Sequence, residues 1–297
     1  MTEKIGFIGL GVMGCPMALH LIHAGYPLNV YARRAQSLAP LTAAGARACA
    51  SPQELATHSD IIITMVTNTA DVEQMVLGDK EHPGILQGAK PGSVVVDMST
   101  IAPAATRRMA QQLAQRGVDM LDAPVSGGET GAINATLSIM VGGEAAVFER
   151  VQPLFACLGK SIVHIGGHGA GHATKACNQL ALAVAIEAAA EALLLAKSYG
   201  IDPAKARAAM MGGLAASRAL ETFGLRMVEQ NFNPGVESRW YDKDMQIVME
   251  LARDLGLALP AGAAAAKNFH ALIGAGGGKR DAAALITVLE GMRRNVR

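Results

Sequence analysis

A lysine flanked by two amides has the residue types and spacing for proton-transfer chemistry. Lys175 is followed by Asn178 and Gln179, and spacings of three and four residues place side chains on one helix face. A lysine ammonium can donate a proton to an oxygen that gains negative charge. A cation near a helix start opposes the helix dipole, so a bound anion or a developing alkoxide would explain Lys175. A surface lysine is the alternative.

Two further segments carry hydroxyl groups and backbone donors. Residues 97–100 read DMST after an apolar run, at the strand end where open α/β sheets bind ligands. Ser99 or Thr100 could instead cap the next helix. Residues 122–128 read DAPVSGG, in which Ser126, Gly127 and Gly128 could hold a carboxylate. A structural turn is the alternative, and Asp122 is expected to hold this loop rather than to do chemistry.

A glycine fingerprint near the N-terminus predicts a dinucleotide site. Gly9, Gly11 and Gly14, with Val12 and Met13 between them, form GLGVMG between an apolar run and a helical pattern. The first glycine permits a tight turn, the second lets the backbone approach a pyrophosphate, and the third allows close helix–strand packing. The helix start then meets the negative charge of the ligand. A glycine-rich turn without a ligand is the alternative.

The end of the second predicted strand indicates which cofactor is used. An acidic residue there would bind the ribose hydroxyl of NAD, but the sequence has Arg33 and Arg34. Guanidinium groups suit a 2′-phosphate, which favours NADP. A solvated arginine pair, or stacking of one arginine on adenine with NAD still accepted, is the alternative.

The elements that must position these groups alternate between strand and helix up to residue 165. This alternation predicts a mostly parallel sheet of Rossmann type in residues 1–165. Residues 166–297 show only helical patterns, so the fold class is α/β with an all-helical C-terminal domain. Residues 173–199 are predicted to form one long helix that joins the two domains, after a loop with glycines at 166, 167, 169 and 171. Lys175 is expected in the cleft between the domains.

Bulk properties exclude several classes of protein. The net charge of +1 favours neither nucleic acid nor an anionic membrane as a partner. The cysteines have no disulfide or metal spacing, and the N-terminus lacks a signal-peptide pattern, which indicates a cytoplasmic protein. The apolar residues 180–196 contain Glu187 and Glu191, so we expect a buried helix rather than a membrane span. No metal site is expected, because His164, His168 and His172 lie across a glycine loop.

The motifs together resemble the β-hydroxyacid dehydrogenase family, 3-hydroxyisobutyrate dehydrogenase-like. The matching stretches are spread along the chain in the order of that family: IGFIGLGVMGCPMA, VVVDMSTIAP, DAPVSGGETGA, LSIMVGG, GHGAGHATKACNQ and YDKD at 241–244. The resemblance implies hydride transfer between NAD(P)H and a short β-hydroxyacid or semialdehyde. It also implies a small carboxylate substrate and a homodimer or homotetramer.

The resemblance also implies roles for particular residues. Lys175 is the catalytic lysine, and Ser126, Gly127 and Gly128 hold the substrate carboxylate. Asn178 binds substrate hydroxyl groups, and Gln179 is the alternative or additional candidate, because some members of the family have the Asn four residues after the Lys, where this chain has Gln179. The residues implied to contact the cofactor are Gly9, Gly11, Val12, Met13, Gly14, Arg33, Arg34, Val66, Asn68, Thr100 and Lys243.

Within the family, the resemblance of three stretches implies tartronate semialdehyde as the substrate, reduced to glycerate. They are SGGE at 126–129, MGGLAASRAL at 211–220 and NFNPG at 231–235. 3-Hydroxyisobutyrate, or another semialdehyde or hydroxyacid, is the alternative. A non-catalytic nucleotide-binding module would have lost the lysine or the serine–glycine loop, and an imine reductase would usually replace the lysine. Lys175 counts against both.

Overall fold

The computed structural model describes residues 2–292. It divides into an N-terminal unit, Met1–Lys175, and a C-terminal unit, Ala176–Arg297. The sequence-predicted boundary near residue 165 stays a prediction. The α/β fold class is confirmed, with a largely parallel sheet in the N-terminal unit and helices in the C-terminal unit.

The N-terminal unit contains the strands of the sheet. They are β1 (Ile5–Ile8), β2 (Leu28–Tyr31), β3 (Arg47–Ala48), β4 (Ile61–Thr64), β5 (Val94–Asp97), β6 (Asp119–Asp122), β7 (Val125–Ser126), β8 (Leu137–Gly142) and β9 (Gly159–Gly166). Their order is β3-β2-β1-β4-β5-β6-β8-β7, with β9 paired to β8. The six strands from β3 to β6 in this spatial order, which include β2 and β1, are all parallel. Strand β8 pairs antiparallel with β6 and β7.

Helices cover both faces of this sheet. They are α1 (Gly14–His23), α2 (Ala39–Ala43), α3 (Pro52–Thr57), α4 (Thr69–Leu77), α5 (Ile85–Gly88), α6 (Pro103–Ala114), α7 (Gly128–Ile133) and α8 (Ala145–Ala156). Successive strand residues point to opposite faces, so Phe7 and Ile63 belong to one buried cluster while Ile8 and Ile62 belong to the other. The predicted buried strands are therefore packed on both sides.

A long helix, α9 (Ala170–Ser198), begins in the N-terminal unit and continues into the C-terminal unit. The remaining helices are α10 (Pro203–Met211), α11 (Arg218–Val228), α12 (Ser238–Asp254), α13 (Pro260–Gly274) and α14 (Leu285–Gly291). They enclose a separate core in which Tyr241 stacks on Phe269, with ring centroids 5.2 Å apart, and meets Phe223 edge-on. Burial raises the pKa of the Tyr241 phenol, and Asp244 and Asp281 add to this effect.

Several element boundaries differ from the sequence-based predictions. The residue pattern predicts a helix over 37–44, but the structure has a 3₁₀ turn, Ala35–Leu38, followed by α2, which has Pro40 in its first turn. A helix is also predicted over 243–256, and the observed helix starts five residues earlier, at Ser238. A third helix is predicted over 281–292, where the structure has a 3₁₀ turn, Ala282–Ala284, followed by α14. The short elements β3, β7, α5 and α7 were not predicted, because they are too brief to show a period.

Helix α9 is long and apolar enough to cross a membrane, with mean hydropathy 1.8 over its most apolar window. The apolar segment 180–196, from which a buried helix was predicted, is only part of this helix, which has 29 residues. One such helix is weak evidence for a membrane span, because core helices of globular proteins have the same composition.

Glu187 on α9 is a buried carboxyl group whose ionisation we expect to make the stability of the C-terminal unit depend on pH. Asn268 Nδ2 donates to Glu187 Oε1 at 2.5 Å, while Oε2 is buried with no hydrogen-bond partner among residues 2–292. Burial raises the pKa of Glu187, and nearby Glu191 adds to the rise. A raised carboxyl pKa means that stability is full at acid pH and is lost as the pH rises through the folded-state value.

We therefore expect Glu187→Gln to raise the melting temperature at pH 8 and to change it little at pH 5. A neutral amide of similar size can keep the bond to Asn268 without burying a charge. Thermal unfolding monitored by circular dichroism at both pH values checks this expectation. Glu250→Gln, at an exposed position of α12, is the control and should leave the pH dependence unchanged. Equal shifts at the two pH values would contradict the interpretation.

Candidate active site

The carboxyl ends of the parallel strands lie side by side in register. Ile8 is paired with Tyr31 and Thr64, Thr64 with Asp97, and Asp97 with Asp122. The candidate residues of the N-terminal unit follow these strand ends by a few positions. The sheet therefore gathers the glycine fingerprint, Arg33, Val66, Thr100 and Ser126 along one edge, where open α/β sheets bind ligands.

Neighbouring atoms crowd the first and third glycines of the fingerprint, whereas the space beside the second glycine is open. A Cβ atom on Gly9 would lie 2.2 Å from Met65 O, and one on Gly14 would lie 1.9 Å from Gly9 O. A Cβ atom on Gly11 would meet no atom within 4 Å. Gly9 has a φ of +99°, which L side chains rarely adopt. The loop can therefore accept a pyrophosphate against the backbone at Gly11, at the start of α1.

Arg33 borders a surface pocket of about 370 Å³ at the end of β2, which Tyr31, Met75 and His82 also line. Arg33 Nη1 lies 2.9 Å from Asp71 Oδ1, and the Arg33 side chain is 61% exposed. An exposed ion pair contributes only about 0–1 kcal/mol. The guanidinium can therefore exchange Asp71 for a ligand phosphate at little cost. Arg34 is also exposed.

A buried hydrogen-bond network links the loops after β4 and β5. Thr64 Oγ1 donates to Asp97 Oδ1 at 2.8 Å, and Ser99 N donates to the same oxygen at 3.2 Å. Val66 N then donates to Ser99 Oγ at 3.0 Å. The alternative role of Ser99 or Thr100 as a helix cap is wrong, because the N-cap of α6 is Ala102. Ser99 fixes the backbone of the neighbouring loop.

The side chain of Asn68 has a structural role as a helix cap. Its side chain is the N-cap of α4, where Oδ1 accepts from Asp71 N at 2.8 Å. Its predicted contact with the cofactor stays a prediction.

Asp122 holds the first turn of α9. Its Oδ1 accepts from Gly169 N at 2.8 Å and its Oδ2 accepts from His172 N at 2.9 Å. The expected anchoring role of Asp122 is thus directed at this helix and not at residues 123–128. Because the carboxylate satisfies the first N–H groups, α9 starts at Ala170 and includes Gly171, which the sequence had placed in a loop.

Lys175 is buried, with 7% of its surface exposed, in the second turn of α9. Ser126 ends the short strand β7, where it pairs with Ser138 of β8. Gly127 and Gly128 follow with φ values of +135° and +61°, so a side chain at either position would strain the backbone. Residues 128–133 form the short helix α7.

The C-terminal unit carries its own polar chain. Asn178 Nδ2 donates to Gln179 Oε1 at 2.8 Å, and Gln179 Nε2 donates to Asp244 Oδ2 at 2.6 Å. Lys243 Nζ lies 2.9 Å from Asp244 Oδ1. Gln179 and Asp244 are buried, whereas Asn178 and Lys243 are partly exposed. The structure thus brings together the three candidates of this unit around Asp244.

The sequence analysis missed the structural roles of Thr64, Asp97, His172 and Asp244. Each lies within a few residues of a predicted site residue, and His172 precedes Lys175 by one helical turn. For Thr64 and Asp97 the available signal was a polar residue at the end of a buried apolar run, whereas His172 and Asp244 have no such signal. Within residues 2–292 there is no group of three or more His, Cys, Asp or Glu residues that could hold a metal ion.

Comparisons with known proteins agree with this architecture. Residues 4–166 match the family of the NAD binding domain of 6-phosphogluconate dehydrogenase. Residues 169–289 match the family described as NAD-binding of NADP-dependent 3-hydroxyisobutyrate dehydrogenase. The 2-hydroxy-3-oxopropionate reductase of Escherichia coli (strain K12) is 44% identical over 291 residues, 97% of each chain.

Two further relatives cover nearly the whole chain. The 2-(hydroxymethyl)glutarate dehydrogenase of Eubacterium barkeri is 38% identical over 97% of this chain and 95% of its own. A solved structure of Mycobacterium tuberculosis 3-hydroxyisobutyrate dehydrogenase has a TM-score of 0.89 and 30% identity, covering 97% of this chain and 99% of its own.

A Rossmann-type unit with an open glycine fingerprint, followed by a helical unit, defines an NAD(P)-dependent dehydrogenase. The chain belongs to the β-hydroxyacid dehydrogenase family, as its motifs predicted, and is an oxidoreductase that acts on hydroxyacids. The family and the use of an NAD(P) cofactor are confirmed.

Proposed function

We propose that this protein reduces tartronate semialdehyde to glycerate with NADPH in the cytoplasm. The observation that carries the proposal is 44% identity, over 97% of both chains, to an enzyme named 2-hydroxy-3-oxopropionate reductase, a synonym for the same activity. The site chemistry supports it, since a buried lysine suits an aldehyde oxygen that becomes an alkoxide.

Each predicted residue has a task in this reaction. Ser126 and the backbone N–H groups of Gly127 and Gly128 bind the substrate carboxylate. Lys175 donates a proton to the aldehyde oxygen and stabilises its developing charge. The bound cofactor supplies the hydride, and the residues that would hold it are the fingerprint, Val66, Asn68, Thr100 and Lys243.

Asn178 is the better candidate of the two amides for the substrate hydroxyl. The amide of Gln179 accepts from Asn178 and donates to buried Asp244, so both of its ends are engaged within the protein. Asn178 is partly exposed and is oriented by Gln179. Gln179 therefore positions Asn178, and a polar contact of this kind would distinguish a hydroxyl from the methyl group of 3-hydroxyisobutyrate.

Initial rates with tartronate semialdehyde, methylmalonate semialdehyde and succinate semialdehyde, each with NADPH and NADH, test the proposal. We expect the highest kcat/KM with tartronate semialdehyde and NADPH. A preference for methylmalonate semialdehyde would assign the chain to 3-hydroxyisobutyrate chemistry. Cofactor binding without turnover on any of the three would reject the proposed substrate. Turnover of none of a wider set of hydroxyacids would favour a non-catalytic module.

Replacing Arg33 and Arg34 together by alanine should weaken NADPH binding about 10–100-fold more than NADH binding, because charge-assisted hydrogen bonds contribute about 1.5–3 kcal/mol. Asp71→Asn should shift preference the other way, since it releases Arg33 and removes a charge beside the phosphate. Fluorescence titration of both cofactors measures the ratio. Arg108→Ala breaks a similar exposed pair with Glu73 at 2.8 Å and is the control. Equal losses for both cofactors would reject the assignment.

We also propose a homo-oligomer, on the family resemblance and on exposed apolar residues of α9 and its C-terminal turn, Leu195 and Tyr199, 73% and 84% exposed. A monomer by light scattering at micromolar concentration would contradict this proposal.

A further inference from the structure

His172 lies at a fully buried junction in the first turn of α9, with 1% of its surface exposed. Its Nε2 is 3.0 Å from Ser99 O and its Nδ1 is 2.8 Å from Thr106 Oγ1. Both ring nitrogens are thus engaged by other elements of the N-terminal unit. An imidazole held at both nitrogens in a packed interior has a single orientation.

Two buried carboxylates flank this ring. Asp97 Oδ2 is 3.4 Å from Nε2, and Asp122 Oδ2 is 3.7 Å from Nδ1. Asp97 Oδ2 has no hydrogen-bond partner within residues 2–292, so the imidazole is the polar group that faces it. Asp122 also binds the backbone N–H of His172. The carboxylate that fixes the start of α9 therefore also lies beside the imidazole ring.

The contacts of His172 extend to the loops that carry the predicted cofactor contacts Val66 and Thr100. Ser99, which the ring contacts through its carbonyl oxygen, accepts from Val66 N at 3.0 Å and precedes Thr100 in the chain. Lys175 lies one helical turn after His172 on α9. One side chain thus joins the helix that carries the predicted proton donor to both loops that carry predicted cofactor contacts.

We propose that His172 is a positioning residue that sets the distance between Lys175 and the cofactor-facing loops at Val66 and Thr100. The proposal rests on the roles given to these three residues in the proposed function. His172 does not touch the reacting atoms itself. Its effect on rate arises because proton donor and hydride donor must reach the same carbonyl group, and a displacement of about 1 Å can cost about 100-fold.

The sharpest test compares two replacements at this position. His172→Leu removes both ring contacts and leaves Ser99 O, Thr106 Oγ1 and the two carboxylates without that partner. We expect kcat to fall about 10–100-fold, with KM changed less than about threefold. His172→Gln can still donate to Ser99 O and accept from Thr106, and we expect it to recover most of kcat.

The matched control is Asn29→Leu at a different buried network. Asn29 Nδ2 donates to His58 O at 3.0 Å and to Ser59 Oγ at 3.1 Å, near the amino end of β2 and away from the candidate site. This variant should lower the melting temperature without changing kcat. If His172→Leu does not fold, Ser99→Ala is the substitute, because it removes only the hydrogen bond from Val66 N to the Ser99 hydroxyl. We expect this variant to lower kcat as well, but by less than His172→Leu.

A second readout does not depend on turnover. Hydrogen–deuterium exchange of the cofactor-free protein reports the Val66 amide, which the Ser99 hydroxyl protects. We expect faster exchange at residues 65–68 and 98–101 in His172→Leu, and wild-type exchange there in Asn29→Leu. Wild-type exchange in both variants would overturn the proposal, as would a kcat for His172→Leu equal to that of the control. If wild type turned over none of the substrates, the proposed function would fail while the exchange result still decided the role of His172.

Discussion

Lys175→Ala is expected to lower turnover by about 10²–10⁴-fold while cofactor affinity stays within a few-fold of wild type. A positioned general acid contributes a factor of this size, and alanine leaves the alkoxide without a proton or a compensating charge. Lys175→Arg keeps the charge but not a readily transferred proton, so it should bind substrate and remain slow. Steady-state kcat and fluorescence titration of the cofactor separate the two effects.

Lys197→Ala is the matched control, because Lys197 lies on the same helix and pairs with Glu290 at 2.8 Å on the exposed surface. It should keep wild-type kcat. A Lys175→Ala protein with turnover within about threefold of wild type would show that the lysine is not the proton donor. Loss of cofactor affinity in parallel with kcat would instead assign Lys175 to binding.

Gly11→Asp is expected to abolish cofactor binding without unfolding the protein. The space around a Cβ atom at Gly11 is free of protein atoms to 4 Å, so the side chain fits. It would place bulk and negative charge where the pyrophosphate approaches the backbone. We expect at least about a 100-fold loss of affinity, about 2.7 kcal/mol, and an unchanged melting temperature.

Two variants make this result interpretable. Gly274→Asp introduces the same side chain at another position without contacts, in the C-terminal unit, and should leave cofactor affinity unchanged. Gly14→Ala would place a methyl group 1.9 Å from Gly9 O, so it should lower the melting temperature. Wild-type affinity in Gly11→Asp would mean that the cofactor does not approach this loop.

The strands and most helices could be predicted because their signals are local. Ile61–Thr64 and Val94–Asp97 each begin with three apolar β-branched residues. The cap at Ser51, which accepts from Glu54 N, follows from its neighbours in the sequence. The start of α9 could not be predicted in this way. Two glycines argue against a helix there, and the carboxylate that offsets them, Asp122, lies 47 residues away from Gly169 in the sequence.

The same contrast between local signals and long-range contacts limited how much of the site could be predicted. The fingerprint and Lys175 are defined by short spacings, so their residues could be named from the sequence. His172 contacts Thr106, which is 66 positions away in the sequence, and Asp244 contacts Gln179, which is 65 positions away. No spacing rule connects the members of either pair. Propensity and periodicity describe what a segment prefers, whereas a buried hydrogen bond depends on which segments the fold brings together.

The buried network around His172 also constrains how this enzyme can evolve. Hydrogen bonds link the buried residues Thr64, Asp97, Ser99 and His172. Substituting one of them leaves a buried polar group without its partner, so a second, compensating substitution is needed to recover fitness. These positions should therefore covary among descendants of this gene. Arg33 and Asp71 form an ion pair at the surface, and either residue can be substituted without a compensating change in the other. If Arg33 binds the cofactor and Lys175 donates the proton as we propose, selection can alter cofactor preference first, while the buried network beside Lys175 stays unchanged.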